Sequence, residues 1–71
     1  MVKQEEIGAI IKARRIKEGV SLEDLAALTG VGINTLSRLE RGVGNTRLNV
    51  LLSVTNALGL RLTVSPKNNL T

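Results

Sequence analysis

The stretch that most constrains the fold of this chain is 25–42, LAALTGVGINTLSRLERG. A segment with apolar residues at helical spacing ends at Thr29 and Gly30, and a second begins directly after Gly32. Glycine readily adopts the left-handed backbone conformation in which many helices end, so it allows the chain to turn sharply there. The pattern therefore predicts two short helices joined by a tight turn.

The second of these predicted helices, 33–41, has two unlike faces. Leu36 and Leu39 fall on one side of a helical wheel. The other side carries an amide, a hydroxyl, two guanidinium groups and one branched apolar group, from Ile33, Asn34, Ser37, Arg38 and Arg41. Helix-turn-helix units offer their second helix to the major groove of DNA. We therefore expect this polar face to read base pairs.

Composition excludes several classes of function. With 71 residues and 42% hydrophobic content, we expect one small domain, 1–71. The chain contains no cysteine and no histidine, which removes disulfides, thiol catalysis and the commonest metal ligands. No apolar run is long enough to predict export or a membrane span. We expect a cytoplasmic protein that is not an enzyme and has no metal, cofactor or membrane partner.

The charge and the aromatic content together indicate the kind of nucleic acid. A net charge of +4 favours a polyanionic partner. Modules that bind single strands usually stack the bases on aromatic rings, and this chain has no Phe, Trp or Tyr. Double-stranded DNA is therefore the expected partner.

A helical core is predicted over 4–59. The first helix, 4–18, begins with glutamates and ends with basic residues, which suits the helix dipole. Ser21 begins the second helix, in which Leu25 and Leu28 are expected to point inward. The fourth helix is predicted from a cap at Thr46 to Leu58, and its apolar arc is wider than one face of a small core needs.

The end of the chain predicts a contact between two copies. Residues 60–65, LRLTVS, alternate apolar and polar side chains, which indicates a strand without a partner in its own chain. Pairing with the same strand of a second copy would satisfy it, and an extended tail over the chain's own helices is the alternative. Residues 66–71 are expected to be a flexible tail. The predicted dimer interface consists of Val50, Val54, Ala57, Leu60, Leu62 and Val64.

From Ile7 to Leu60 the chain resembles the Xre-type helix-turn-helix domains of bacterial regulators and lambdoid phage repressors. The resemblance is carried by IGAIIKARRIKEGVSLEDLAALTGV, TLSRLERGVGN and ALGL. It implies an all-α, lambda-repressor-like bundle of four or five helices, here with a short C-terminal β-strand that pairs across a homodimer. The LRLTV ending is similar to that of HipB-type antitoxins, in which such a strand joins two subunits.

The resemblance also implies which residues contact DNA. The base-reading positions of the family fall on Gly32, Ile33, Asn34 and Arg38. Asn34 suits adenine and Arg38 suits guanine, while Ile33 either contacts a thymine methyl group or packs on its own core. Contacts to the DNA backbone are expected from Ser21, Thr35, Arg41, Asn45 and Arg47.

An arginine of the first helix pairs in this family with the glutamate of a Leu-Glu-x-Gly motif, and the matching residues here are Arg15 and Glu40. The spacing agrees, because Arg15 lies four residues after Ile11 and Glu40 lies four after Leu36, so both charges border the core. Two solvated charges are the alternative.

These features predict a homodimeric repressor that binds a palindromic operator in double-stranded DNA. The resemblance further implies the antitoxin of a HipA/HipB-like pair, which represses its own operon and binds a HipA-like kinase toxin. Two alternatives remain: a stand-alone Xre-family transcriptional regulator, or a protein-interaction module that has lost DNA binding.

Overall fold

The computed structural model describes residues 2–67 and contains four helices in that range. They are α1 (Gln4–Lys17), α2 (Leu22–Thr29), α3 (Ile33–Arg41) and α4 (Leu48–Ala57). The third helix packs against both α1 and α2, while α4 packs against α2. The expectation of an all-α bundle of four or five helices is confirmed, with four helices in residues 2–67.

Local signals account for the ends of α2. The Ser21 hydroxyl accepts a hydrogen bond from the backbone N–H of Asp24 at 2.9 Å, and the Asp24 carboxylate accepts one from Ser21 N–H at 3.4 Å. This is a capping box. Gly30 ends the helix at φ +72°, a left-handed conformation that glycine adopts without strain.

The start of α4 differs from the prediction. The helix begins at Leu48, and the residue before it is Arg47 in an extended conformation, without a side-chain cap. The cap predicted at Thr46 is therefore wrong. The helix also ends at Ala57, with Leu58 as the residue after it.

Six apolar side chains, each at most 3% exposed, form the core: Ile11, Leu25, Leu36, Leu39, Val54 and Leu58. The inward orientation predicted for Leu28 is wrong, because its side chain is 67% exposed. The buried side of α2 runs through Leu22, Leu25 and Ala26, all of which contact the core. A helix of two turns has room for one such stripe, and Leu28 lies outside it.

Helices α1 and α3 pack closely at Gly8. Gly8 is buried, and a Cβ atom there would overlap the carbonyl oxygens of Leu39 and Glu40. The missing side chain therefore allows the backbones of the two helices to meet directly. This contact fixes the position of α3, the helix expected to meet DNA.

Residues 60–65 do not form a strand in this structure, so the predicted β-strand is corrected. Leu60 donates its N–H to the carbonyl of Thr55 at 2.8 Å and packs against the core. Beyond it the chain is extended, and Val64 is 96% exposed. A strand requires a neighbouring backbone, which a single copy does not supply here. Of the predicted tail, 68–71 lie outside the described residues.

Candidate DNA-binding interface

The third helix separates a buried side from a polar one. Leu36, Leu39 and Glu40 are buried, which orients the helix in the bundle. The side facing away from the core presents four exposed polar side chains, those of Asn34, Thr35, Arg38 and Arg41. Gly32 precedes the helix in an extended conformation. An exposed helix face rich in hydrogen-bonding groups can contact the base edges and phosphates of a duplex.

An ion pair on the buried side of α3 joins this helix to α1. Arg15 Nε donates to Glu40 Oε2 at 2.6 Å, and Arg15 Nη2 donates to Glu40 Oε1 at 3.1 Å. The arginine also donates from Nη1 to the carbonyl of Val20 at 2.9 Å. The two side chains are only 12% and 6% exposed. The ion pair predicted from the sequence is therefore present, and it joins α1 to α3 in a bidentate geometry.

The hydrogen bond to Glu40 raises the pKa of Arg15 above its ordinary value. Desolvation of the guanidinium acts in the opposite direction and is the weaker influence, while the charges of Glu40 and Glu23 add to the increase. Arg15 thus stays cationic and cannot switch the contact off near neutral pH.

The turn between α2 and α3 has its own hydrogen bonds. The Thr29 hydroxyl donates to the carbonyl of Leu25 at 2.7 Å and accepts from the N–H of Val31 at 3.2 Å. Val31 packs against the core. The Thr29 hydrogen bonds hold the end of α2, and the packing of Val31 holds the turn against the core. Together they help to set the angle between α2 and α3.

The structure brings several predicted DNA contacts into one recess, which we call the α3 recess. Its walls are Thr35, Arg38, Val43, Asn45 and Thr46, so residues of the helix and of the loop after it lie side by side. Sequence reasoning did not find Val43 and Thr46, because no local pattern reveals that the loop folds back beside the helix.

The remaining predicted DNA contacts lie at separate places. Ile33 is 40% exposed, so much of its surface is open to a groove. Ser21 is half-buried at the start of α2, and Arg47 is exposed before α4. Arg41 Nε donates to the carbonyl of Ser37 at 3.4 Å, one turn earlier in the same helix.

The predicted dimer interface needs a correction. Val54 is fully buried within its own chain, so it has no surface to offer to a second copy. Val50 and Leu60 are partly buried against the core, whereas Ala57, Leu62 and Val64 are exposed. Apolar side chains outside the prediction are also exposed, among them Ile10 of α1 at 58% and Leu52 of α4 at 46%.

Neither a metal site nor a membrane helix is found in the described part of the chain. Residues 2–67 contain no group of three or more acidic side chains placed to hold a metal ion. No helix within the same residues is both long and apolar enough to cross a bilayer.

Comparison with known protein families decides what kind of domain this is. The HTH_3 helix-turn-helix family model matches residues 11–64, most of the chain. The chain belongs to this helix-turn-helix family. This is a family of transcriptional regulators and not of enzymes, which agrees with the expectation that the matched domain is not an enzyme.

Individual proteins that are similar to this chain are also regulators. HTH-type transcriptional regulators of Mycobacterium bovis and Mycobacterium tuberculosis are 46% identical over 57 residues, which is 80% of this helix-turn-helix chain. The chain spans only 22% of the length of these relatives.

Two crystal structures of the clp gene regulator ClgR from Corynebacterium glutamicum share the fold. One has a TM-score of 0.76 and 37% identity, covering 84% of this chain and 64% of ClgR; the other has a TM-score of 0.75 and 36% identity, covering 86% and 79%. The comparisons give no support to the resemblance to HipB-type antitoxins.

Proposed function

We propose that this chain is the DNA-binding part of a transcriptional regulator and that α3 enters the major groove of duplex DNA. The observation that carries the proposal is the exposed polar face of α3, held outward by the buried pair of Arg15 and Glu40. Asn34 and Arg38 are the proposed base readers, since an amide and a guanidinium can each form two hydrogen bonds with one base. Gly32 and Ile33 lie beside them at the start of the helix.

The backbone contacts are proposed for the residues that flank this face. Thr35 and Asn45 line the α3 recess together with Arg38. Arg41, Arg47 and Ser21 lie nearer the ends of the helices. Such contacts would position α3 on the duplex without reading its sequence.

A stand-alone regulator is favoured over an antitoxin. The similar proteins are transcriptional regulators of mycobacteria and the clp gene regulator of Corynebacterium glutamicum. No segment of the chain is identified that would bind a kinase toxin. Repression of a target gene fits a small domain that occupies the major groove.

A homodimer is the proposed assembly. Two neighbouring clefts on the side of α1 and α4 share Thr55, Leu60 and Leu62 as walls, so they form one continuous surface. Ile10 and Leu52 border this surface and are exposed, as is Leu62 at 37%. We call it the apolar face. A second copy would cover it and place two α3 helices on the two halves of a palindrome.

Selection from a random-sequence duplex library tests DNA recognition. We expect an enriched palindrome with half-sites roughly 34 Å apart, and binding that weakens steeply as salt concentration rises. Asn34→Ala and Arg38→Ala should each relax the preference at one base pair per half-site, whereas Arg41→Ala should weaken binding to all sequences alike. Lys12→Ala, an exposed basic position on α1, is the control and should change neither property.

A library without enrichment, together with affinity that ignores salt, would contradict this function and would favour a protein-interaction module. The assembly is tested separately by sedimentation. We expect twice the 7.6 kDa of one chain for the natural protein and a single copy for Ile10→Asp with Leu62→Asp. Leu28→Asp, which changes an exposed leucine outside the apolar face, should remain a dimer.

A further inference from the structure

The guanidinium of Arg38 lies directly against the backbone of Gly44, six residues further along the chain. A Cβ atom built on Gly44 would come within 2.6 Å of Arg38 Nη2 and within 3.3 Å of both Cζ and Nε. Contacts below 3.0 Å are not found for real Cβ atoms, so any other residue at position 44 would displace the guanidinium. The absence of a side chain at residue 44 therefore leaves room for the Arg38 guanidinium at this place.

The position of Gly44 is itself fixed by the first turn of α1. Gln4 Nε2 donates a hydrogen bond to the carbonyl of Gly44 at 2.6 Å. Gly42, two residues earlier, lies against the backbone of Glu5, since a Cβ built there would come within 2.5 Å of Glu5 Cα. The loop beside the arginine side chain is thus joined to the first turn of α1 at two places.

We propose that Gly44 is a specificity-determining position, because it sets the direction from which Arg38 reaches a base. This inference rests on the proposed function, in which Arg38 reads a base pair. A guanidinium forms two hydrogen bonds with guanine only in one plane, so its orientation matters as well as its charge.

Base preference, and not overall affinity, is the property that Gly44 should control. The guanidinium keeps its charge when it is displaced, so attraction to the phosphates persists. What is lost is the orientation needed for two simultaneous hydrogen bonds. We expect Gly44→Ala to lower the preference at the base pair read by Arg38 by about fivefold or more, the smaller end of what one such contact discriminates.

The test measures dissociation constants for the selected duplex and for the same duplex changed at that one base pair. Gly44 has φ +79°, so alanine there also strains the backbone. Gly19→Ala is the matched control, because Gly19 has φ +70° with nothing within 4 Å of its added Cβ. We expect Gly19→Ala to keep the natural ratio of the two constants and Gly44→Ala to lose it. If the alanine variant does not fold, Gly44→Asn is used in its place, because asparagine tolerates a left-handed backbone but still carries a Cβ.

The double variant Gly44→Ala with Arg38→Ala separates the routes. If Gly44 acts through Arg38, adding Gly44→Ala to Arg38→Ala should change the ratio no further. The inference is overturned if a folded Gly44 variant keeps the natural ratio of the two dissociation constants. It is equally overturned if Gly44→Ala changes that ratio as much in the Arg38→Ala background as in the natural chain. It is also overturned if Arg38→Ala weakens all sequences alike, although DNA binding by α3 would then still stand. Absence of any selected duplex would instead reject the proposed function itself.

Discussion

Removing Glu40 should destabilise the fold far more than removing a glutamate from the surface. Glu40→Ala leaves Arg15 with a single acceptor, the carbonyl of Val20, while its side chain stays only 12% exposed. Removing one partner of a buried ion pair lowers the free energy of unfolding by about 3 kcal/mol, because the remaining charge is buried without a compensating partner. Glu18→Ala is the matched control. Glu18 pairs with Arg14 at 3.8 Å, with side chains 44% and 33% exposed, so its loss should cost under about 0.5 kcal/mol.

The size of this loss can be compared with the stability of the whole domain. At about 0.05–0.15 kcal/mol per residue, a domain of this length has a free energy of unfolding of roughly 4–11 kcal/mol. A loss of about 3 kcal/mol is therefore a large share of it. For a domain of this size each kcal/mol lowers the melting temperature by about 4–8 °C, so Glu40→Ala should melt roughly 12–24 °C below the natural protein.

Far-UV circular dichroism is the suitable assay, because the chain has no aromatic residue for intrinsic fluorescence. The raised pKa of Arg15 determines how the ion pair's contribution to the free energy of unfolding depends on pH. This contribution is fully present below the ordinary arginine pKa and is lost only as pH rises through the higher value. The deficit of Glu40→Ala should therefore be constant across neutral pH. Replacing both partners, by Arg15→Met with Glu40→Leu, should restore much of the stability. Melting of Glu40→Ala within about 3 °C of Glu18→Ala would refute this reasoning.

Two further predictions concern the position of α3. Gly8→Ala should lower the free energy of unfolding by at least about 2 kcal/mol, since the added Cβ would meet the backbone of α3, which cannot move aside. Urea unfolding measures this loss. Ala9→Gly, on the exposed side of α1, is the control and should cost only about 1 kcal/mol. Thr29→Val should cost about 1–2 kcal/mol by the same measurement and weaken DNA binding, because it removes both hydrogen bonds of the turn. Thr63→Val, in the exposed C-terminal segment, should leave both quantities unchanged, and an equal effect there would argue against a special role for the turn.

Features that depend on neighbours along the chain were predictable from the sequence. The left-handed turn at Gly30 and the capping box of Ser21 and Asp24 need only residues a few positions apart. The stripe of Leu36 and Leu39 follows from the period of the helix. The pair of Arg15 and Glu40 was implied by the family resemblance, and the spacing agreed with it, since each charge lies one turn from a core residue and a half-buried charge needs a partner.

The assignment of apolar faces could not be read from the same pattern. Periodicity tells which side chains share a face of a helix, but not which face meets another helix. Leu28 fits a helical stripe and is exposed, while Val54 fits the outward arc of α4 and is fully buried. Likewise, the alternation in 60–65 has the period of a strand, yet a strand needs a partner backbone that the sequence cannot supply.

What the sequence determined by itself is therefore the helix-turn-helix unit: two helices, their glycine turn and the polar face of the second one. The tertiary structure alone decided how that face is presented. Gln4 and Gly44 are 40 positions apart, and their hydrogen bond joins α1 to a residue without a side chain beside the guanidinium of Arg38. Contacts of this kind depend on how distant segments pack, and no local pattern encodes them.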